Sequence, residues 1–163
     1  MNEKDFNVLK NAINNKKPIL VSGCLAGMLI NYQEKGNLID EIRQLMLDGI
    51  AIAVCPEVLA GLPTPRDPAE IMVVDGETKV FNCEKIDLTE TYQLGAERTL
   101  GVALRTGAKI AILKSNSPSC GCGKIYDGSF TEKLVDGDGI TAALLKENGI
   151  RVITEEEFRE CLN

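Results

Sequence analysis

Two periods of apolar positions run along this chain, and the switches between them mark out its elements. Short apolar runs at Pro18 to Ser22, Ile50 to Val54, Lys109 to Leu113 and Ile150 to Ile153 read as buried strands. Between them the spacing turns helical. Asp5 to Asn15 carries Phe6, Leu9 and Ile13 near one face, and Leu38 to Leu47 repeats the pattern before Gly49 stops it. Leu88 to Thr106 predicts a long helix, with Asp87 or Thr89 as N-cap and Gly107 as C-cap. Thr141 to Glu147 is helical up to Asn148-Gly149, and Glu155 to Leu162 closes the chain as a helix. Ile71 to Val74 and Lys79 to Phe81 flank Asp75-Gly76 as a small hairpin. Pro56 to Pro68 holds four prolines and reads as a rigid ordered loop, neither helix nor central strand. Tyr126 to Phe130 reads as a short extended piece. Strands alternating with helices predict one α/β domain over residues 1–163, with an open, mainly parallel sheet and helices on both faces.

Composition narrows the chemistry. Apolar residues make up 44% and charged residues 26%, ordinary for a globular chain. The net charge of -6 disfavours a broad phosphate-binding face, and 4% aromatics with no Trp disfavour a stacking platform, so no nucleic-acid polymer is expected as partner. There is no histidine, which excludes Ser-His-Asp triads, Cys-His dyads and His-bearing zinc sites. Proton transfer falls to carboxylates, Lys, Tyr, Cys, Ser or water. The N-terminus lacks a signal-peptide pattern and no apolar run approaches a membrane span, so the expected location is cytoplasmic and no membrane partner is expected. In that compartment six cysteines point to metal ligands, reactive thiols or core filler rather than disulfides.

The chemistry concentrates at strand ends. Lys114 to Gly128, after the third strand, packs Cys120, Cys122, Ser115, Ser117, Ser119, Gly121 and Gly123 into one loop. Cys24 and Cys55 likewise follow strands directly. In a parallel sheet these ends share one rim, where α/β ligands bind, so Cys24, Cys55 and Cys120 can converge. Converging thiolates suit iron–sulfur clusters, zinc or copper(I), whereas unconverged ones are three unrelated buried cysteines. The one-residue spacing of Cys122 from Cys120 favours a bystander, and Cys83 and Cys161 read as packing or surface thiols. Glu57, in Cys55-Pro56-Glu57, is either a solvated cap or a general acid/base beside the metal. Ser117 and Ser119 either cap a turn or donate to substrate, and Arg66 is either a structural ion-pair partner or an anion clamp. Asp127 reads as a turn residue. Gly121-Cys-Gly-Lys124 lacks the phosphate-loop pattern.

Several motifs in order resemble a known family: Ser22-Gly-Cys24-Leu, Cys55-Pro-Glu-Val58, Gly61-Leu-Pro-Thr-Pro-Arg66, Ser117-Pro-Ser-Cys-Gly121, Ile125-Tyr-Asp-Gly-Ser-Phe130 and Gly137-Asp-Gly-Ile-Thr-Ala-Ala-Leu-Leu145. They resemble the DUF523 family, which includes the thiouracil desulfidases of the TudS type, over residues 18 to 156. The resemblance implies a 4Fe-4S cluster on Cys24, Cys55 and Cys120, with one iron open to a thiocarbonyl sulfur. It implies a hydrolytic, non-redox replacement of that sulfur by oxygen, releasing sulfide from a small thiolated pyrimidine, either thiouracil or a thiouridine nucleotide. By the same carry-over, Glu57 and Ser117 are the expected proton-transfer and orienting groups. Ser119 is an expected substrate contact, and Arg66 or Lys124 would clamp the phosphate of a nucleotide. The chain departs from the family at Asn31-Tyr32, where Arg-Tyr is expected, at Ala60-Gly61, where Gly-Gly is common, and in the extra Cys122.

Two other classes fit the thiols. One is a structural or sensory protein with zinc on Cys24, Cys55, Cys120 and Cys122 and no turnover. The other is a redox protein cycling Cys120 and Cys122 through a disulfide.

Overall fold

All four apolar runs become strands of a single parallel sheet in the computed structural model, which describes residues 1–163. The chain runs α1 (Glu3–Asn14), β1 (Ile19–Ser22), a 3-10 turn (Gly23–Ala26), α2 (Asp40–Leu47), β2 (Ala51–Val54), α3 (Pro56–Leu59), β3 (Ala69–Val74) and β4 (Glu77–Asn82). It continues through α4 (Thr89–Thr106), β5 (Ile110–Leu113), β6 (Lys124–Tyr126), β7 (Leu134–Asp136), α5 (Ile140–Glu147), β8 (Arg151–Thr154) and α6 (Glu155–Leu162). The sheet order is β2-β1-β5-β8, parallel throughout. Its strands are apolar on both faces, as a doubly covered sheet requires. Ile19, Val21, Ile110, Ile112 and Ile153 join Leu9, Ile42 and Phe158 of α1, α2 and α6 on one side. Leu20, Ala111, Leu113 and Val152 join Ala103, Ala142 and Leu145 of α4 and α5 on the other. The chain leaves β1 for β2 on one flank, then crosses back to lay β5 on the other. The β1/β5 boundary is therefore the topological switch point, where such sheets open a crevice at their carboxyl ends.

Three local expectations need correction. Pro56 does not bar a helix; it begins one, the single turn α3, because at the first helical position its missing N–H costs nothing and its φ is already helical. Within Tyr126 to Phe130 only Tyr126 is in a strand; β6 pairs antiparallel with β7, and Gly128 (φ 92°) and Phe130 (φ 57°) turn the chain between them. The N-cap of α4 is Leu88. Asp87 accepts from the Thr89 amide at 2.8 Å, while the Thr89 hydroxyl is turned to the Val80 amide of β4 at 3.0 Å. Gly107 caps the other end in the left-handed region at φ 77°. No helix is long and apolar enough to cross a membrane.

Candidate active site

Cys24 lies in the turn leaving β1, Cys55 between β2 and α3, and Cys120 in the loop leaving β5. All three line one cavity of about 450 Å³ at the carboxyl edge of the sheet. None is in a disulfide. They stand near enough to feel one another electrostatically, since charge on Cys55 raises both Cys24 and Cys120. Burial is the largest influence on each thiol. It pushes Cys120 up to about 12 and raises Cys24 and Cys55 as well. Polar neighbours work against that trend: the Asn37 side chain lowers Cys24, the Val58 amide lowers Cys55 and the Ser22 side chain lowers Cys120. The thiols thus hold their protons at neutral pH and would have to release them to ligate a metal.

The spacing of the thiols limits what they can hold. No group of three or more cysteine or acidic side chains converges closely enough for one metal ion. A zinc ion needs its sulfurs within about 2.3 Å of a single point. A cubane offers each thiolate its own iron, so three thiols lining one shared cavity suit it. Cys122 is not on that wall; its thiol is directed to the Val152 carbonyl at 3.6 Å, beside the α4–α5 core. Cys120 and Cys122 therefore face different surroundings, and the four-thiolate zinc set is not brought together.

Backbone packing fixes the Cys120 loop. A side chain at Gly139 would sit 2.5 Å from the Ser119 carbonyl, and one at Gly121 2.6 Å from the Ser117 carbonyl. Glycine lets both segments close. The Ser119 carbonyl accepts the Thr141 and Ala142 amides at 2.9 and 3.1 Å, so the loop caps the start of α5. Ser22, at the end of β1, accepts the Lys114 amide of the loop after β5 at 2.9 Å and ties the two strand ends at the switch point.

Glu57, on the cavity wall, is held by three side chains. Its Oε1 accepts from the Tyr92 hydroxyl at 2.6 Å and Arg66 Nε at 3.2 Å, and its Oε2 accepts from the Ser119 hydroxyl at 2.9 Å. Because the Ser119 proton goes to Glu57, Ser117 is the donor in the 3.0 Å contact between the two serines. Ser117 lines the cavity, but its oxygen also accepts the Ser119 and Cys120 amides at 3.2 and 3.1 Å, so it braces the loop. Ser119 is 1% exposed and stands behind the wall, out of substrate reach. Arg66 lines the cavity with its guanidinium already committed to Glu57, the Pro63 and Ile30 carbonyls and Thr64. Lys124 lies off the cavity wall, on β6, and pairs with Asp136 of β7. Sequence reasoning missed Tyr92, one face of a long helix whose polar tip gives no local signal. It also missed Glu155, whose carboxylate takes Lys114 Nζ and the Ser115 amide, each at 2.7 Å.

Tyr32, Tyr126 and Phe130 supply the aromatic part of the cavity. Glu70 of β3 holds the turn that carries Phe130, its Oε1 accepting the Gly128 and Phe130 amides at 3.0 and 3.2 Å. Three of the chain's seven Tyr and Phe residues thus line one cavity, an arrangement suited to a flat ring. Comparison with known proteins agrees with this geometry. The uncharacterized protein YbbK of Bacillus subtilis (strain 168) is 45% identical over 150 residues, covering 88% of this chain and 99% of that one. The solved structure of the 4Fe-4S-dependent thiouracil desulfidase TudS superposes with a TM-score of 0.81 at 40% identity, over 90% of this chain and 95% of that one. The model of the 2-thiouracil desulfurase family matches residues 19–157, and the chain belongs to that family.

Proposed function

We propose that this chain is a 4Fe-4S-dependent desulfidase that replaces the sulfur of a small thiolated pyrimidine with oxygen from water. The observation that carries the reading is the meeting of Cys24, Cys55 and Cys120 on one wall of a cavity at the switch point of the sheet. Those three thiolates would hold the cluster. When bound, the cluster supplies an iron that no protein group ligates, a Lewis acid for the thiocarbonyl sulfur. Tyr32, Tyr126 and Phe130 hold the ring and keep bulk water from it. Glu57 accepts a proton from the water that adds to the thiocarbonyl carbon, using the lone pair on Oε2 that its three protein donors leave free. That proton then passes to the departing sulfur. Carbon keeps its oxidation level: one water is consumed, the ring gains a carbonyl, and hydrogen sulfide leaves with both water protons. Burial and the charge of Glu57 push the Tyr92 hydroxyl far up, so it stays a donor and holds Glu57 in place.

Anaerobic reconstitution tests the proposal. The expected result is a brown protein with about four irons and four sulfides per chain, converting thiouracil to uracil with one sulfide released per turnover. Cys24→Ser, Cys55→Ser and Cys120→Ser should each lose cluster and turnover. A colourless protein that releases no sulfide under these conditions overturns the reading.

A further inference from the structure

We infer that Glu70 is a positioning residue, a latch that holds the β6–β7 ribbon shut across the mouth of the cysteine cavity. That a thiolated ring lies behind it rests on the desulfidase reading; the latch and the thiols it covers are features of the fold. Tyr126, Phe130 and Glu132, in the ribbon and its turn, line the cavity. Phe130 is still 37% exposed and Glu132 is exposed, which puts the turn at the rim, while Cys120 lies deep at 5%.

The tip of the ribbon has little else to hold it. β6 and β7 have three residues each and form a sheet only with one another, and an isolated two-stranded ribbon is marginal in water. Its root is fixed. Ile125 is buried with Ile71, Val80 and Tyr92 and bridges to Asn116, and the Gly137 amide reaches the Gly123 carbonyl at 3.2 Å. The turn, residues 127–133, is different. Its own bonds shape it: Asp127 accepts the Ser129 amide at 2.9 Å and donates its amide to the Lys133 carbonyl at 3.0 Å. Only two hydrogen bonds tie it to the body, from the Gly128 and Phe130 amides to Glu70 Oε1. No ion pair adds to them.

Glu70 is placed for that task. It is 8% exposed, and β3 around it is fixed by pairing along its whole length with β4. A carboxylate makes both contacts stronger than a neutral carbonyl would. Gly128 completes the seat. At φ 92° it lies against β3, where a side chain would fall 2.9 Å from the Ile71 carbonyl oxygen and 3.0 Å from Met72 Cβ. Release of the Glu70 contacts frees a segment with few buried groups, and segments of that kind open first. Opening admits the ring, and closure brings Phe130 back against it and shuts out water. Glu70→Gln keeps an acceptor oxygen for the two amides, whereas Glu70→Ala removes it.

Thiol labelling tests the latch without cluster or substrate. N-ethylmaleimide is added to the cluster-free chain, and peptide mass spectrometry reads each cysteine separately. Glu70→Ala should speed labelling of Cys120 by on the order of tenfold, as for loss of a charge-assisted contact, with Glu70→Gln much nearer the unsubstituted rate. Exposed Cys83 should label at one rate in all variants. Gly128→Ala, which lifts the turn from β3 by a different route, should act like Glu70→Ala. Hydrogen exchange should quicken in residues 127–133 and stay unchanged in β1 and β5, which separates an opened turn from a general loss of stability. In the reconstituted enzyme, Glu70→Ala should raise KM for thiouracil several-fold with kcat changed less. If no variant releases sulfide, the desulfidase reading falls while labelling and exchange still decide the latch. Cys120 labelling unmoved by both substitutions, exchange quickened equally throughout the sheet, or an unchanged KM overturns the inference.

Discussion

Gly95→Ala tests the coupling between the α4 backbone and the site most directly. Gly95 is buried in α4, facing α3. A methyl group there would fall well inside contact distance of the Pro56 carbonyl oxygen, 2.9 Å from its carbonyl carbon and 3.2 Å from the Ala60 Cβ. Ordinary carbon–carbon contact is about 3.7 Å, so the two backbones must part by at least about 0.8 Å, with the closer carbonyl oxygen requiring more. Pro56 lies between Cys55 and Glu57, and the shift is delivered to a proposed ligand and the proposed proton acceptor together. Overpacking of this kind costs about 1–3 kcal/mol, while replacing a mid-helix glycine by alanine returns close to 1 kcal/mol of propensity. Gly101→Ala on the same helix separates the two effects, because its methyl would meet only the flexible tip of Arg105, at 2.7 Å. Gly101→Ala should therefore be neutral or stabilising, with the Tm of Gly95→Ala lower than that of Gly101→Ala by about 3–9 °C for a chain of this size. A displacement near 1 Å at reacting groups costs on the order of 100-fold in kcat/KM. Scanning calorimetry, iron content and sulfide release on the matched pair give the answer. Equal Tm values and equal activities for the two variants would refute the idea that α4 sets the position of the Cys55–Glu57 turn.

Three further outcomes follow from the same contacts. Burial alone raises Glu155, but the Lys114 and Ser115 donors outweigh it and leave its carboxyl below the ordinary value of 4.5. A lowered folded value means that its stabilisation is complete above about pH 4.5 and is lost as pH falls through the folded value, so Glu155→Gln should flatten the acid limb of a stability-versus-pH curve and cost about 2 kcal/mol at neutral pH. An acid limb as steep as that of the unsubstituted protein would sink this assignment. Cys122→Ser should keep full iron content and stay within about 1.5 kcal/mol of normal stability in urea unfolding; loss of iron would make Cys122 a ligand. Tyr92→Phe removes one of three donors to Glu57 and should lower kcat by about tenfold or more with KM little changed, which steady-state kinetics at saturating substrate will read.

The sheet was legible because its strands are uniformly apolar, and a run such as Ile110 to Leu113 with all four residues buried has no other stable home. The hairpin of β3 and β4 was legible from Asp75-Gly76, whose φ values of 51° and 78° suit a tight two-residue turn. The pairing of β6 with β7 was not. Each strand has three residues, Leu134 is exposed, and neither carries a usable period. α3 escaped because proline content argues against helix in general and for helix only at its first position. At the site, the convergence of Cys24, Cys55 and Cys120 could be argued from strand ends alone. The commitments of individual side chains could not. That Arg66 is spent on backbone carbonyls and Ser119 is turned to Glu57 are facts of tertiary geometry, set by residues up to 62 positions away.

The loop around Cys120 also has a bearing on how the protein matures. A metal centre built on a local hairpin can be loaded while the ribosome is still making the rest of the chain. Here the third thiol is held by a loop that docks on Gly139 and the first amides of α5, so the triangle of sulfurs is complete only after that helix has been synthesised and the sheet has closed. On the proposed ligand set, cofactor insertion follows folding. A donor would present its cargo at the open end of a finished sheet, and the inserted group would then staple three chain segments that are remote in sequence. Its loss should loosen those segments first.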